Sequence, residues 1–183
     1  MYAMFWGAKA FNQPIGSWNT DSVINMALMF VGTEAFNQDI SGWNTAKVEN
    51  MGGMFEGATS FNQPIGNWNT AKVRDMGGMF REAEAFNQPL NNWNTVRVFN
   101  MTGMFANTKA FNQPIGNWNV EGVQRIAGMF RNAEAFDQDL SSWKLISIIN
   151  IDTIFKAPLN KGMSCSNYSK TLQGWANNPL TFA

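Results

Sequence analysis

Histidine is absent from this chain, and cysteine occurs once, as Cys165. The lack of histidine removes the commonest general base and the commonest metal ligand of proteins. A single cysteine excludes an internal disulfide. The serines and the cysteine have no histidine base to activate them, and no run of carboxylates matches a calcium-binding loop. We therefore predict a protein that is not an enzyme and that holds neither a metal nor a cofactor.

Charge is also scarce. Charged residues make up 14% of the 183 residues, and 13 basic side chains balance 13 acidic ones. A chain without net charge has no general attraction to nucleic acid or to an anionic membrane. Its apolar runs are far too short to cross a bilayer. We expect no nucleic-acid partner and no membrane insertion.

Repetition is what the chain has in abundance. The stretch F-N-Q-P-I-G-N-W-N-T, from Phe61 to Thr70, returns nearly intact every 25 residues. A fixed period of this length is typical of a solenoid, in which each repeat packs mainly on its neighbours. We predict that the recurring tryptophans form a buried structural ladder: Trp18, Trp43, Trp68, Trp93, Trp118 and Trp143.

Spacing inside the repeat indicates two kinds of local structure. From residue 73 to 86, apolar residues recur three or four apart, as in a helix. Gly77 and Gly78 interrupt that pattern, so we predict only one or two short helical turns, α or 3₁₀. Stacked coils also need a ladder, and residues 64–69 are the best place for a short parallel strand.

Two methionine columns belong to the predicted core, because they interlock with columns of valine and phenylalanine. They could be mistaken for a soft-metal site. Their members are Met26, Met51, Met76 and Met101, then Met29, Met54, Met79, Met104 and Met129. Asparagine and glutamine columns flank the phenylalanines, and side chains that bond nearby backbone suit the corners of a coil.

The array ends differ from its middle. We assign residues 1–157 to about six repeats, the first truncated, and residues 158–183 to a C-terminal cap. Pro158 breaks the repeat pattern. The cap is predicted to contain a helix that Ser166 or Asn167 caps and Pro179 ends. Its apolar face would carry Tyr168, Leu172 and Trp175.

The first residues, M-Y-A-M-F, match the M-G-G-M-F that begins at Met51, so the chain starts inside a repeat. The simplest account is a segment excised from a longer protein. Met1, Met4 and Phe5 would then form an uncapped apolar end, which proteins usually cover. We predict that this end either frays or packs against another copy of the chain, which would give self-association through the uncapped N-terminal end.

The unit W-N-T-A-K-V-x-x-M-G-G-M-F-x-x-A-x-x-F-N-Q resembles the repeat of BspA-like surface proteins, over residues 1–157. The tail N-Y-S-K-T-L-Q-G-W-A is similar to a segment that follows such repeats. The resemblance implies a curved, right-handed, leucine-rich-repeat-like solenoid with one short parallel strand per coil. It also implies a cell-surface or secreted location and, for some members, adhesion. It supplies no catalytic residues.

Partner contacts are predicted where the repeats differ. Lys47, Lys72 and Arg97 would stack about 5 Å apart if the coils repeat at ladder spacing. Arg74 and Phe99 lie in the column beside them. These residues could bind an acidic protein or glycan ligand, although such cations also suit a solvated face.

Two other hypotheses remain open beside a binding or adhesion module. The array could be a purely structural spacer or assembly subunit that sets a distance between other parts. It could also present an ice- or mineral-facing ladder, made by Thr20, Thr45, Thr70 and Thr95 and interrupted by Val120.

The absence of an oxygen-rich loop leads to a first prediction. Removing divalent metal with a chelator should leave the melting temperature unchanged, because a structural metal contributes directly to folding free energy. Thermal melts with and without EDTA measure this. A drop of several degrees on chelation would contradict the prediction.

Overall fold

The computed structural model describes residues 1–155 and 162–178. Within these ranges, one helix, α1 (Cys165–Ala176), follows a long array of turns and isolated parallel bridges, with no longer strand. Every bridge joins equivalent positions of successive repeats: Asn25–Asn50, Asn50–Asp75, Asp75–Asn100, Asn100–Arg125 and Arg125–Asn150. The repeats therefore stack in parallel and in register. The handedness of the coil and its kinship with leucine-rich repeats stay predictions.

In the glycine-containing part of each repeat, successive backbone N–H groups alternate between a hydrogen bond to the next repeat and a hydrogen bond within their own repeat. The Gly53 N–H donates to the Gly77 carbonyl of the next repeat at 2.8 Å. The following N–H, of Met54, closes a turn within the repeat on the Met51 carbonyl at 3.1 Å. The same few residues thus form local turns and the junction between repeats.

This alternation corrects the helical turns predicted between residues 73 and 86. In a helix each N–H donates to the carbonyl four residues earlier. Here about half of the N–H groups donate instead to a carbonyl of a neighbouring repeat. The φ angle is also positive at the third residue of two turns, 63° at Gly78 and 60° at Glu82. A type II turn requires a positive φ there, and glycine adopts it without steric cost.

The parallel strand predicted at residues 64–69 is wrong in its position. The Trp68 N–H closes a turn on the Ile65 carbonyl at 3.1 Å, and the parallel bridge of this repeat lies at Asp75 instead. At the tryptophan corner, a side chain joins the repeats. The Trp68 indole N–H donates to the Ile40 carbonyl of the preceding repeat at 3.2 Å.

Aromatic rings fill the centre of the stack. The ring of Phe55 lies 4.0 Å from that of Phe61 in its own repeat and 5.5 Å from that of Phe30 in the repeat before. Trp43 and Trp68 stack at 6.4 Å. Both methionine columns are buried among these rings, so they belong to the core.

Five of the six ladder tryptophans are at most 4% exposed, but Trp18 is 38% exposed. Trp18 lies in the first repeat, where it contacts the ring of Phe5 at 5.9 Å. Among the described residues no repeat packs on its other side. Burial of a tryptophan therefore depends on having a neighbouring repeat.

The threonine column faces inward, which corrects the hypothesis of an ice- or mineral-facing ladder. Thr45 and Thr70 are 1% exposed, and Thr20 and Thr95 are 2% exposed. The hydroxyl of Thr70 donates to the Asn94 carbonyl of the next repeat at 3.0 Å. These hydroxyls strengthen the junction and have no access to an external surface.

Amide side chains connect the repeats at a third corner. The Asn37 Oδ1 accepts from the Asn62 N–H and from the Gln63 Nε2, both at 2.9 Å. The same pair of bonds recurs on Asn12, Asn62, Asn87 and Asn112. The asparagine column thus supports the corners of the coil, as its sequence pattern indicated.

Helix α1 packs on the last full repeat through Thr171 and Trp175. The predicted apolar face is only partly correct, since Tyr168 and Leu172 are 43% and 42% exposed. The predicted N-cap is also wrong, because the Ser164 side chain accepts from the Asn167 N–H. Pro158, Pro179 and most of the boundary between array and cap lie outside the described residues.

Asp137 links the array to α1. Its Oδ1 accepts from the Ser164 N–H at 2.8 Å and from the Asn167 side-chain amide at 3.0 Å. Burial raises the pKa of Asp137, but these hydrogen bonds outweigh burial and hold the pKa below its ordinary value. The ionised form therefore stabilises the attachment of α1.

The stacked tryptophans yield a prediction about stability. Trp68→Ala should destabilise the chain by about 3–5 kcal/mol, because it removes a buried ring and leaves a cavity. Trp6→Ala, at a site that is 59% exposed, is the matched control and should change stability by less than about 0.5 kcal/mol. Chemical denaturation measures both. Equal losses in the two variants would contradict the core assignment.

Asp137 yields a prediction about pH. A lowered folded-state pKa gives stability that is present above the unfolded pKa of about 3.9 and is lost as pH falls through the folded pKa. Asp137→Asn keeps an Oδ1 acceptor, as in Asn112, but cannot titrate. We expect the melting temperatures of the two proteins to converge as pH falls below about 4. Curves that stay parallel would show that Asp137 does not couple pH to stability.

Candidate binding surfaces

Lys47, Lys72 and Arg97 form a cationic row, because they occupy the same turn of successive repeats. In each repeat a valine N–H closes this turn on a threonine carbonyl, as between Val73 and Thr70 at 2.9 Å. The cation precedes the valine; the valine is buried and the cation is exposed. The turn therefore presents one positive charge per repeat on a single surface.

The cationic row has no partner in the described part of the chain. No carboxylate lies within 4.0 Å of its three side chains. Four other cations are paired: Lys9 with Glu34 at 2.8 Å, Lys109 with Glu84 at 2.7 Å, Arg81 with Glu56 at 3.4 Å and Lys144 with Glu121 at 3.1 Å. In the described ranges Arg74, Arg125, Arg131 and Lys170 have no ion pair either, but they do not form a row of three at one turn. The row thus keeps its charge available for an external ligand.

Arg74 and Phe99 lie on the backbone ladder beside the cationic row. The Arg74 N–H donates to the Glu49 carbonyl at 2.8 Å, and the Phe99 N–H donates to the Arg74 carbonyl at 2.9 Å. The Arg74 side chain is exposed and Phe99 is half-buried. All five predicted partner-binding residues therefore belong to adjacent columns of three consecutive repeats.

A groove of about 650 Å³ crosses the repeats over the glycine-containing turns. Small residues such as Gly53, Gly78 and Gly103 line it, together with Arg81. The Arg81 guanidinium lies 3.4 Å from Glu56 and 3.7 Å from Glu82, and its Nε has no hydrogen-bond acceptor. This glycine groove contains none of the predicted binding residues.

A second groove, of about 660 Å³, is predominantly acidic. Glu34, Glu82, Glu84 and Glu134 line it beside Lys9 and Lys109. The hydrogen bond that Lys9 donates to Glu34, together with the charge of Glu34, raises the pKa of Lys9, and the hydrogen bond that Lys109 donates to Glu84 raises the pKa of Lys109. Two of the four lining glutamates, Glu34 and Glu84, are thus paired with lysines of the same groove.

Neither groove was anticipated from the sequence. The sequence pattern predicts helical turns around the glycine pairs, and helical turns do not leave a groove across the repeats. One sequence feature indicates these turns: besides the Gly-Gly pairs, glycine recurs at 25-residue intervals as Gly7, Gly32 and Gly57. Positive φ at that position marks a turn.

In residues 1–155 and 162–178, no group of three or more potential ligands is close enough to hold a metal ion. No helix in the same ranges combines the length and apolarity needed to span a membrane.

Comparison with known families identifies the repeat. Residues 1–89 and residues 63–175 both match the family described as Mycoplasma protein of unknown function, DUF285. The chain belongs to this family. The same family matches this chain twice, over overlapping ranges, as is expected of a repeat protein. This agrees with the 25-residue period. No curated protein and no solved structure matches the chain.

The candidate sites of this DUF285 protein are therefore assigned from its own geometry. The cationic row combines exposure, lack of an internal partner and one charge per repeat. The glycine groove and the acidic groove lack that combination, because their charged residues are largely paired within the chain. The cationic row is the strongest candidate.

Proposed function

We propose that the chain is a non-catalytic repeat module that binds an acidic protein or glycan at the cell surface or outside the cell. The observation that supports this most is the unpaired cationic row. Cations that only solubilise a surface gain a little from nearby carboxylates, and four other cations of this chain take that option. Lys47, Lys72 and Arg97 do not, and, unlike the other unpaired cations, these three recur at the same exposed turn of successive repeats.

The spacing of the row suits a ligand with repeated acidic groups. Equivalent rings of neighbouring repeats lie 5.5–6.4 Å apart, so the turns that carry the cations recur at a similar interval. One exposed ion pair contributes only about 0–1 kcal/mol. A ligand that meets several cations at once gains several such contributions, and the stacked turns already hold the backbone in line, so that only the side chains need to be ordered on binding.

We also infer kinship with BspA-like surface proteins and a right-handed, leucine-rich-repeat-like solenoid. The in-register stacking of 25-residue repeats supports this inference. Surface or secreted location, adhesion and the lack of catalysis follow from that kinship and from the absence of histidine. Arg74 and Phe99 would extend the contact beside the row.

A structural spacer is the second candidate function. The hydrogen bonds that join the repeats recur almost unchanged from junction to junction, as those on Asn37, Asn62 and Asn87 show. Such uniform coupling makes a stiff rod of defined length, which is what a spacer needs. A spacer would require no ligand on the cationic row.

The two functions are separated by binding to polyglutamate and to a sulfated glycan immobilised on a sensor. The test variant is Lys47→Gln/Lys72→Gln/Arg97→Gln. The control, Arg125→Gln/Arg131→Gln/Lys170→Gln, removes the same charge from three other cations that have no ion pair in the described ranges. We expect the test variant to lose binding at least about tenfold, or 1.4 kcal/mol, and the control to lose much less.

Salt dependence completes this test. Binding of the unmodified chain should weaken as ionic strength rises, because exposed charges are screened beyond about 10 Å at 0.1 M salt. Equal losses in both triple variants would show a response to net charge only. Absence of binding to either probe at low salt would favour the spacer.

A further inference from the structure

The surface beside the cationic row changes from one end of the row to the other. In the repeat of Lys47, the exposed carboxylate of Glu49 partly offsets the charge of the lysine. In the next repeat, Arg74 stands at the position of Glu49 and adds a second cation beside Lys72. In the repeat after that, the position holds Phe99, which is only half-buried. The row therefore has a polar end and an apolar end.

Val96 adds to the apolar end. Val96 and Arg97 are the two central residues of the turn that the Val98 N–H closes on the Thr95 carbonyl at 2.9 Å. Val96 is 58% exposed, whereas alanine occupies this position in the two preceding repeats. Phe99 follows the turn directly. The last cation of the row is thus accompanied by two apolar side chains that are not fully buried.

The row is also limited in length. The repeats on either side of it carry Ser22 and Gly122 at the position of the cation. Asp21 and Glu121 precede these two residues, so a carboxylate stands beyond each end of the row. A ligand whose acidic groups continued past three repeats would meet no further cation in this column. The row therefore fits a short acidic segment.

The spacing of the row suits an extended polypeptide. Alternate side chains of an extended chain lie on one side, about 6.6 Å apart. Equivalent rings of neighbouring repeats lie 5.5–6.4 Å apart, and the flexible stem of a lysine can take up the remaining difference. Three acidic residues at alternate positions can therefore meet Lys47, Lys72 and Arg97 in turn.

The apolar end favours a peptide over a sulfated glycan. A sulfated glycan is polar along its whole length and offers no apolar group to Val96 and Phe99. An apolar side chain of a peptide would instead remove part of both residues from water, which is favourable. An acidic peptide can thus complement both the charge of the row and its apolar end.

We propose that the ligand of the cationic row is an extended peptide segment with three acidic side chains at alternate positions and an apolar side chain at one end. That end lies on Val96 and Phe99, beside Arg97, and the opposite end lies near Lys47. This inference rests on the proposed function, because it assigns a ligand class and a direction of binding to the same row.

Fluorescence anisotropy with labelled peptides at low salt tests the apolar contact. Three peptides share the same alternate glutamates with serines between them. One carries a leucine before the first glutamate, one carries a leucine after the last glutamate, and one carries no leucine. Because the row is directional, we expect one of the two leucine peptides to bind about fivefold more tightly than the peptide without leucine. The other leucine peptide should gain much less.

Val96→Ala/Phe99→Gln is the test variant, because it introduces residues that the chain itself uses at equivalent positions, Ala71 and Gln124. We expect this variant to bind the preferred leucine peptide and the peptide without leucine with nearly equal affinity. Ile149→Gln is the matched control. It removes a 77% exposed side chain from the column of Phe99, two repeats away, and should keep the preference for leucine.

Disulfide cross-linking tests the direction of binding. In a Cys165→Ser background, Val96→Cys and Ala46→Cys place a thiol at equivalent positions of the two ends of the row. The preferred peptide, with a cysteine added next to its leucine, should cross-link to Val96→Cys about tenfold faster than to Ala46→Cys. Equal rates would overturn the proposed direction and with it the inference.

The remaining outcomes separate this inference from the proposed function. Binding of all three peptides without a preference for leucine would overturn the inference and leave the cationic row as a binding site. Binding of the immobilised sulfated glycan but of none of the peptides would also overturn it and would identify a glycan as the ligand. Absence of binding to every probe at low salt would overturn both the inference and the proposed function.

Discussion

Hydrogen bonds between successive repeats are the interaction on which the rest of this structure depends. Each one contributes only about 1 kcal/mol net, but leaving the same group buried and unpaired would cost more. Backbone N–H groups such as that of Gly53 cross to the next repeat, and the N–H groups between them close turns. The chain therefore satisfies its backbone with almost no helix or strand.

This bonding dictates where glycine and the aromatic residues stand. Where alternate N–H groups donate to the next repeat, the third residue of each turn has a positive φ, as at Gly57 (68°) and Gly78 (63°). The close approach of the repeats then stacks like rings on like, 5.5 Å apart for Phe30 and Phe55. A shift of one residue between repeats would set polar columns against apolar ones. The 25-residue period is thus fixed by backbone and core together.

Part of this arrangement could be predicted from the sequence. Recurrence alone identified the tryptophan and methionine columns as interior, because residues that must match a neighbour every 25 positions are easy to align. Local structure was harder, since apolar residues three or four apart suit consecutive turns as well as a helix. The strand was misplaced because a side chain, the Trp68 indole, replaces the backbone ladder at that corner.

Side-chain direction was the other limit on prediction. The threonine column could face either way from its sequence pattern, and only the bond from Thr70 to the Asn94 carbonyl decides that it faces inward. The N-cap at Ser164 lies before the pattern that indicated the helix. The cationic row was predictable as a set, but its lack of partners required knowledge of where every carboxylate lies.

The residues that stabilise the stack and the residues proposed to bind a ligand consequently occupy different columns of the same repeat. Positions that bond or pack across a junction are nearly uniform along the chain, because each must fit the repeats on both sides. The column of Arg74 bonds across the junction through its backbone alone, and Lys72 lies on an exposed turn, so the side chains of both columns can change from repeat to repeat without loss of stacking. A repeat protein of this kind can acquire or lose a ligand by changing those columns alone.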